Sequence, residues 1–412
     1  MKEVLYTGLD IGSQTVKIAI AQMTSEGGMQ VIGSAEKPSV GVTKGSISSI
    51  DDTVSSISSA LESAERMTGR PISKATIGIS GVHIGVQESK GVVAISRADG
   101  EIKENDIDRV VEAAQAVATP PNHEILHVIP LQFSVDNQKG IKDPAGMSGV
   151  RLEVQAQIVQ ILSLEIKNLT KAVYRTGLEI NDVVLSVLAC SEATLSRRQK
   201  ELGVALVNIG STTTSIAVFE EGDMLYAGVI PIGSAHITSD LAIGLRTSID
   251  IAERVKLGVG RVSDKKMSKR EVFDISEFSG KDEGSVASAD VVKIIEARLE
   301  EIFDHVNDKL TSINRAGRLP AGIVLTGGGA KLPGIIEAAK NHFRLPSNLG
   351  YTVNLDSPIE KMNSLTFTTA MGLAMWDKNL YGDGASSMMG NGLGSMGGAF
   401  KFFTGKVQSI FK

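Results

Sequence analysis

The chain is 412 residues long, 42% hydrophobic and 22% charged, which excludes a fibrous or disordered protein and exceeds what one ordinary core organises, so roughly two to four domains are expected. Its formal net charge of −5 excludes the broad basic face that nucleic-acid binding needs. One cysteine, Cys190, excludes an intramolecular disulfide and a thiolate cluster; with no signal peptide in MKEVLYTGLDIGS and no run of about 20 apolar residues, any membrane contact is expected to be peripheral.

The first predicted elements form a hairpin, TGLDIGSQTVKIAIA (Thr7 to Ala21): apolar strand, Gly-Ser turn, apolar strand. Small residues at the turn let backbone N–H groups approach an anion, and the Ser13 hydroxyl adds a donor. Asp10 suits the water shell of a divalent cation, and Lys17 returns along the second strand toward bound phosphates. Their plainer alternatives are a strand-end carboxylate and a solvated lysine. Val54, Ile57, Leu61, Ala64 and Met67 recur at helical spacing and predict a helix over residues 53–67, while residues 75–80 alternate as a strand. Next, ENDIDRVVEAAQAVA (from Glu104) reads as a helix and HEILHVIPLQFSV (from His123) as strands. The histidines, His123 and His127 among them, show no metal-ligand spacing.

The hairpin then recurs. ALVNIGSTTTSIAVF (Ala205 to Phe219) matches it at Ile11/Ile209, Gly12/Gly210, Ser13/Ser211, Thr15/Thr213, Ile18/Ile216 and Ala19/Ala217. Unrelated hairpins share some positions by composition, but duplication is favoured and predicts two similar α/β lobes facing each other. Two such turns, with Thr212 and Thr213 as further donors, could clamp a polyphosphate. Between the turn and the chain's next glycine cluster, Ile295, Leu299, Ile302, Val306 and Leu310 form a helical stripe that leaves Arg298 on another face. In GIVLTGGGAKLPGI (Gly322 to Ile335) three glycines follow an apolar strand, which allows a flat ligand or a phosphate to lie against backbone.

From Gly384 onward there is no acidic residue, and GASSMMGNGLGSMGG has linker composition. Beyond it Phe400, Phe403, Val407, Ile410 and Phe411 share one helical face, with Lys401, Lys406 and Lys412 on its flanks and far side. So short a helix needs a surface to order it. The basic flanks favour an anionic bilayer; the alternative is a groove on a partner or on the chain itself.

GLDIGSQTVK, VNIGSTTTSIAVF and VLTGGGAKLPG resemble the two phosphate motifs and the adenosine motif of the superfamily of actin, heat-shock chaperones and sugar kinases. IGISGVHIGV, EILHVIPLQFSVD, GIKDPAGMSGVRLEV, ITSDLAIGLRTSIDIAERVK and IIEARLEEIFDHV narrow the resemblance to the FtsA family of bacterial cell division, from about Leu5 to Trp376 and again at the terminal helix. It implies an α/β, actin-like two-lobed fold of duplicated mixed-sheet cores, with an inserted α+β subdomain and a C-terminal amphipathic helix. The implied boundaries are 1–82 and 163–198 for the first lobe, 83–162 for the insertion and 199–226 and 304–380 for the second lobe. A nucleotide- and FtsZ-binding subdomain would fill 227–303, a linker 381–397 and a membrane-targeting helix 398–412.

The resemblance further implies ATP with Mg²⁺ in the cleft. Asp10 would hold the Mg²⁺ through water, Gly12, Ser13, Gln14 and Lys17 the near phosphates, and Gly210, Ser211, Thr212 and Thr213 the far ones. Glu253 and Lys256, three apart on a predicted helix, would meet the adenosine, and Gly327, Gly328 and Gly329 the adenine and ribose side. The chain departs from the family's pattern where Asn208 and Ser211 replace the usual Asp and Gly: an amide gives the cation shell no charge, and a side chain restricts backbone approach. LSVLACSEATLS offers no well-placed group for an attacking water, Glu192 being the nearest and out of step, so weak or absent ATPase activity is expected. The implied partners are further copies of the chain in filaments, the FtsZ C-terminal peptide at Arg298 and later division proteins on the insertion. Anionic lipid would meet Phe400, Lys401, Phe403, Lys406, Val407, Ile410 and Phe411 at the cytoplasmic face of the cell membrane. The tail argues against the cytoplasmic type IV pilus scaffold of the same fold, and no motif supports a sugar kinase.

Overall fold

The computed structural model describes residues 4–24, 28–97, 99–116, 119–262, 272–279, 284–353, 359 and 363–381. The expected linker, 381–397, lies outside the described residues except for Tyr381, and the expected membrane helix, 398–412, lies outside them entirely.

The first lobe starts with three antiparallel strands, β1 (Leu5–Ile11), β2 (Thr15–Met23) and β3 (Met29–Pro38). A small hairpin of β4 (Val42–Thr43) and β5 (Ser46–Ile47) leads into helix α1 (Ile50–Thr68), which crosses to β6 (Lys74–Ile79), parallel to β1. The helix starts three residues before its apolar stripe predicts because Ser49 accepts the Asp52 N–H as N-cap, and it ends at Gly69, whose φ of 66° suits glycine.

The insertion is an antiparallel sheet with one helix. Its elements are β7 (Ile84–Ala94), α2 (Glu104–Gln115), β8 (His123–Val135), β9 (Gln138–Ile141) and β10 (Arg151–Leu162), in sheet order β7-β10-β8-β9. The predicted strands within HEILHVIPLQFSV are one 13-residue strand; Pro130, which has no N–H for a ladder, sits at a register shift opposite Ala156. The chain then returns to the first lobe through α3 (Ser163–Tyr174), β11 (Glu179–Leu185) and α4 (Ser186–Thr194), the last buried nearly all round.

After α5 (Arg197–Leu202) the topology repeats: β12 (Val204–Ile209), β13 (Thr214–Glu220) and β14 (Asp223–Ile230) run antiparallel. A subdomain follows, comprising α6 (Ser234–Leu245), α7 (Ile249–Val259), β15 (Val272–Asp274), α8 (Ser276–Ser279), β16 (Ser285–Ala287) and α9 (Ser288–Ser312). Then β17 (Gly322–Thr326) lies parallel to β12, and α10 (Ile335–Phe343) crosses to β18 (Ser347–Leu349). The two main sheets read β11-β6-β1-β2-β3 and β14-β13-β12-β17-β18, the same order from opposite ends, so the sequence repeat is a repeat of topology.

The predicted stripe of α9 is buried, with Ile295, Leu299, Ile302, Val306 and Leu310 facing the second core. Each contributes about 1.5–3 kcal/mol by leaving water. Helix α11 (Thr368–Tyr381) then crosses back onto the first lobe, where a Cβ on Gly372 would lie 1.8 Å from the Ala189 carbonyl oxygen, so the helix packs at backbone distance on α4.

Candidate functional site

Both Gly-Ser turns close the same way. The Gly12 N–H donates to the Thr15 carbonyl at 3.1 Å, and the Gly210 N–H to the Thr213 carbonyl at 2.9 Å, so the matched residues of the repeat make matched bonds. The turns also meet: the Thr212 hydroxyl donates to the Ser13 hydroxyl at 3.0 Å. Two further neutral pairs join the lobes nearby, Ser80 and Ser215 with hydroxyls 3.2 Å apart, and the Asn208 amide donating to the Thr369 hydroxyl at 3.2 Å. Ser13 accepts as well from the Gly45 N–H at 3.2 Å, and exposed Gln14 uses its carbonyl to hold the Ser39 N–H at 2.9 Å.

Asp10, Lys17 and Glu36 form a row across β1, β2 and β3, and cross-strand partners share a face. The Lys17 ammonium lies 3.5 Å from Glu36 Oε1 and donates to the Thr15 hydroxyl. Asp10 retains some exposure at its strand end, yet its carboxyl sits deep enough for desolvation to push it above the usual carboxylate range, with Lys17 offsetting part of that. A hydrated cation would relieve the cost of this charge. One carboxylate together with phosphate oxygens suffices for Mg²⁺, and among the described residues no group of three or more metal-ligating side chains offers a protein-only cage.

The second turn rests on the start of α6. The Ser234 N–H donates to the Gly210 carbonyl at 2.9 Å and the Ala235 N–H to the Ser211 carbonyl at 2.8 Å. Gly233 is needed for this approach, since a Cβ there would lie 2.5 Å from the Ser211 carbonyl oxygen. Glu253 and Lys256 share the face of α7 toward α6: the Lys256 ammonium lies 2.6 Å from Glu253 Oε2 and donates to the Thr238 hydroxyl at 2.8 Å and the Ser234 carbonyl at 3.4 Å. Lys256 is buried, so this is not a solvated surface pair.

The glycines after β17 do different work. Gly327 has a φ of 87°, and a Cβ there would lie 2.3 Å from Asn208 Oδ1; a Cβ on Gly329 would lie 2.4 Å from Ile209 Cγ2. Packing of the loop against the second motif therefore requires both. Gly328 is different, because a Cβ there would meet only Thr366 Cγ2 at 3.8 Å, so nothing in the protein demands glycine and the space beside it suits a ligand. The loop is tied to the segment that follows α7 by the Val262 N–H, which donates to the Pro333 carbonyl at 2.8 Å. A separate open groove of about 710 Å³, lined by Leu332, Pro333, Ile336, Lys340, Leu349 and Tyr351 among others, includes neither Asp10 nor either turn.

Two expected residues lie outside the cleft's polar lining. Glu192 is paired with Lys200 at 2.5 Å, which accounts for its being out of step with a water-positioning role. Arg298 sits on α9, off the buried stripe, with its guanidinium forked onto Asp240 of α6 at 2.6 and 2.8 Å and onto Glu301 at 2.5 Å. Sequence reasoning missed Gly233, Ser234, Thr238 and Thr369. Ile232-Gly233-Ser234 repeats the Ile-Gly-Ser of both turns and was a readable signal.

Known proteins agree with this architecture. A model of the SHS2 domain inserted in FtsA matches residues 81–160, and a model of cell division protein FtsA matches residues 205–372. The chain is 43% identical over 337 residues to cell division protein FtsA of Bacillus subtilis, covering 82% of this chain and 76% of that one. It is 31% identical to the FtsA of Escherichia coli K12, over 99% of this chain and 98% of that one. Among solved structures, a PilM-PilN type IV pilus biogenesis complex superposes with a TM-score of 0.66 at 17% identity, covering 91% of this chain and 98% of that one. MreB5 of Spiroplasma citri bound to ADP does so with 0.56 at 13%, covering 94% and 99%. The structural matches carry the actin-like fold alone, whereas the sequence matches separate this chain from the pilus scaffold: it belongs to the FtsA family of cell division proteins.

Proposed function

We propose that this chain binds ATP with Mg²⁺ between its two Gly-Ser turns and polymerises at the cytoplasmic face of the cell membrane, where it anchors FtsZ filaments and recruits later division proteins. The observation that carries the reading is the Ser13–Thr212 contact, which sets the two turns side by side. Phosphate oxygens there would accept from Ser13 and Gln14 on one side and from Ser211, Thr212 and Thr213 on the other, while Gly12 and Gly210, whose N–H groups close their turns, would let the backbone come close. Asp10 would hold the Mg²⁺ through water, with Lys17 beside it. The base would lie between Gly327, Gly328 and Gly329 and the Glu253–Lys256 pair.

The Spiroplasma MreB5 structure is of an ADP complex, and another neighbour of the same fold, MamK, is a double helical filament, which supports nucleotide binding and self-assembly. Turnover would be slow, because Asn208 is engaged with Thr369 and Glu192 with Lys200. Residues 83–162 would serve polymer contacts and later division proteins, and residues 227–303, through Arg298, the FtsZ peptide. Residues 398–412 would lie in the bilayer interface, with Phe400, Phe403, Val407, Ile410 and Phe411 inward and Lys401 and Lys406 at the headgroups. No helix among the described residues is long and apolar enough to cross a membrane. Co-sedimentation with anionic liposomes tests this reading: the full chain should pellet, more so with ATP, and a chain ending at Gly398 should not. Equal pelleting of both would contradict it.

A further inference from the structure

The insertion belongs covalently to the first lobe, yet it rests on the second. Lys142, just past β9, sets its ammonium 3.3 Å from Asp223 Oδ2 and donates to the Glu221 carbonyl, while Gln157, buried on β10, donates to the Leu225 carbonyl. These contacts fall at and just before the start of β14, the outer strand of the second sheet. An outer strand has one side without a neighbouring ladder, and here the insertion covers part of it. Apolar packing continues across the junction, where Leu126, Ile129 and Val159 share one core with Met224 and Ala227. A small cavity of about 20 Å³ lies between Ile129, Phe133, Lys142, Asp223 and Met224.

The far end of β14 meets the second turn. The Thr214 hydroxyl donates to the Ile232 carbonyl at 2.8 Å, and Gly233 packs against the Ser211 carbonyl at a distance no side chain would allow. The strand has 8 residues, about 26 Å at the usual rise, and pairs with β13, which begins at that turn, with one register shift that leaves Leu225 as a bulge. From Tyr226 to Ile230 the ladder is regular, so a shift of the turn carries that stretch with it, and Leu225 at the bulge is itself held by Gln157.

We infer that β14 couples the cleft to the insertion, with Lys142 as the positioning contact: a nucleoside triphosphate that moves the second turn moves the ledge under Lys142 and Gln157. In the other direction, the Lys142–Asp223 clamp holds the second turn toward the first. This rests on the cleft being the nucleotide site, and linkage requires that loosening the clamp change nucleotide binding.

The experiment is displacement of a fluorescent ATP analogue from the full chain by excess ATP, followed by stopped flow. Lys142→Glu sets two carboxylates against each other at a side chain that is 53% exposed, far from the cleft. Release should be about fivefold faster or more in Lys142→Glu and intermediate in Lys142→Gln. The double variant Lys142→Glu/Asp223→Lys should return to within about twofold of wild type, because the pair is restored with reversed charge. Unchanged release in both single variants, or a double variant no slower than Lys142→Glu, overturns the coupling and leaves the nucleotide site standing. A wild-type chain that fails to bind the analogue overturns the cleft reading and the coupling with it.

Discussion

The hydroxyl of Thr212 donates to that of Ser13 at 3.0 Å, joining two residues 199 positions apart that occupy neighbouring places in a repeated turn. A neutral hydrogen bond of this kind is worth about 0.5–1.5 kcal/mol net. Thr212→Val and Ser13→Ala should each lower the unfolding free energy by that order, and the double variant by less than the sum. Denaturant titration of the four proteins checks this; strict additivity would mean that the two hydroxyls do not interact.

Arg298 is held by a two-pronged contact to Asp240 and by Glu301, which keeps its planar head in one orientation at the surface of α9. With its own charge included the cluster sums to −1, so a partner that uses Arg298 must add to this cluster or displace one carboxylate. Arg298→Ala should lose co-sedimentation with FtsZ filaments, and Arg298→Lys, which keeps the charge but not the fork, should not restore it. Full co-sedimentation of Arg298→Ala would remove the assignment.

A pH response is built into the foot of α11. Trp376, the chain's one tryptophan, donates its indole N–H to Asp182 Oδ2 at 3.2 Å. Burial pushes Asp182 up to about 7, the Val183 N–H and the indole work against that, and nearby Asp377 adds repulsion while being raised by burial itself. Burial pushes His127, whose ring lies 6.2 Å from Trp376, down to about 3, so it is neutral throughout this range. Because the folded-state value of Asp182 is raised, its contribution to stability is complete below its usual 3.8 and is lost as pH rises through about 7. Tryptophan emission should change between about pH 6 and 8 in wild type, the thermal midpoint should fall as pH rises from about 4 to about 7 and level off above that, and Asp182→Asn should flatten both curves.

Packing at backbone distance leaves α11 no tolerance. Gly372→Ala places a methyl 1.8 Å from the Ala189 carbonyl oxygen. Overpacking of this kind costs about 1–3 kcal/mol or more, so the variant should melt several degrees below wild type in a calorimetric scan. An unchanged melting temperature would mean that the helix can move away freely.

What could be read from the sequence was what is local. The Gly-Ser hairpin is written within 15 residues and occurs twice, so the lobes and their facing turns followed from it; the α9 stripe followed from periodicity alone. The joins between lobes were not legible. Asn208 finds Thr369 161 positions away, and Thr76 finds Asp377 301 away, through polar side chains that look solvated in sequence. Periodicity placed Arg298 off the buried stripe, but no pattern announces that Asp240, 58 positions earlier, takes its guanidinium. The roles of Asp182 and His127 were equally hidden, since burial alone moves their protonation.

In the proposed function a nucleotide lies between the turns and against the loop at Gly328. The direct measurement is calorimetric titration of ATP with Mg²⁺ into wild type and Gly328→Leu, with a thermal melt of each protein without nucleotide. A Cβ at Gly328 meets only Thr366 Cγ2 at 3.8 Å, so the variant should melt as wild type does. One ATP should bind per wild-type chain, and binding should be weakened at least about tenfold, or about 1.4 kcal/mol, in the variant. Equal affinity in the two proteins, or no binding by wild type, would contradict that placement.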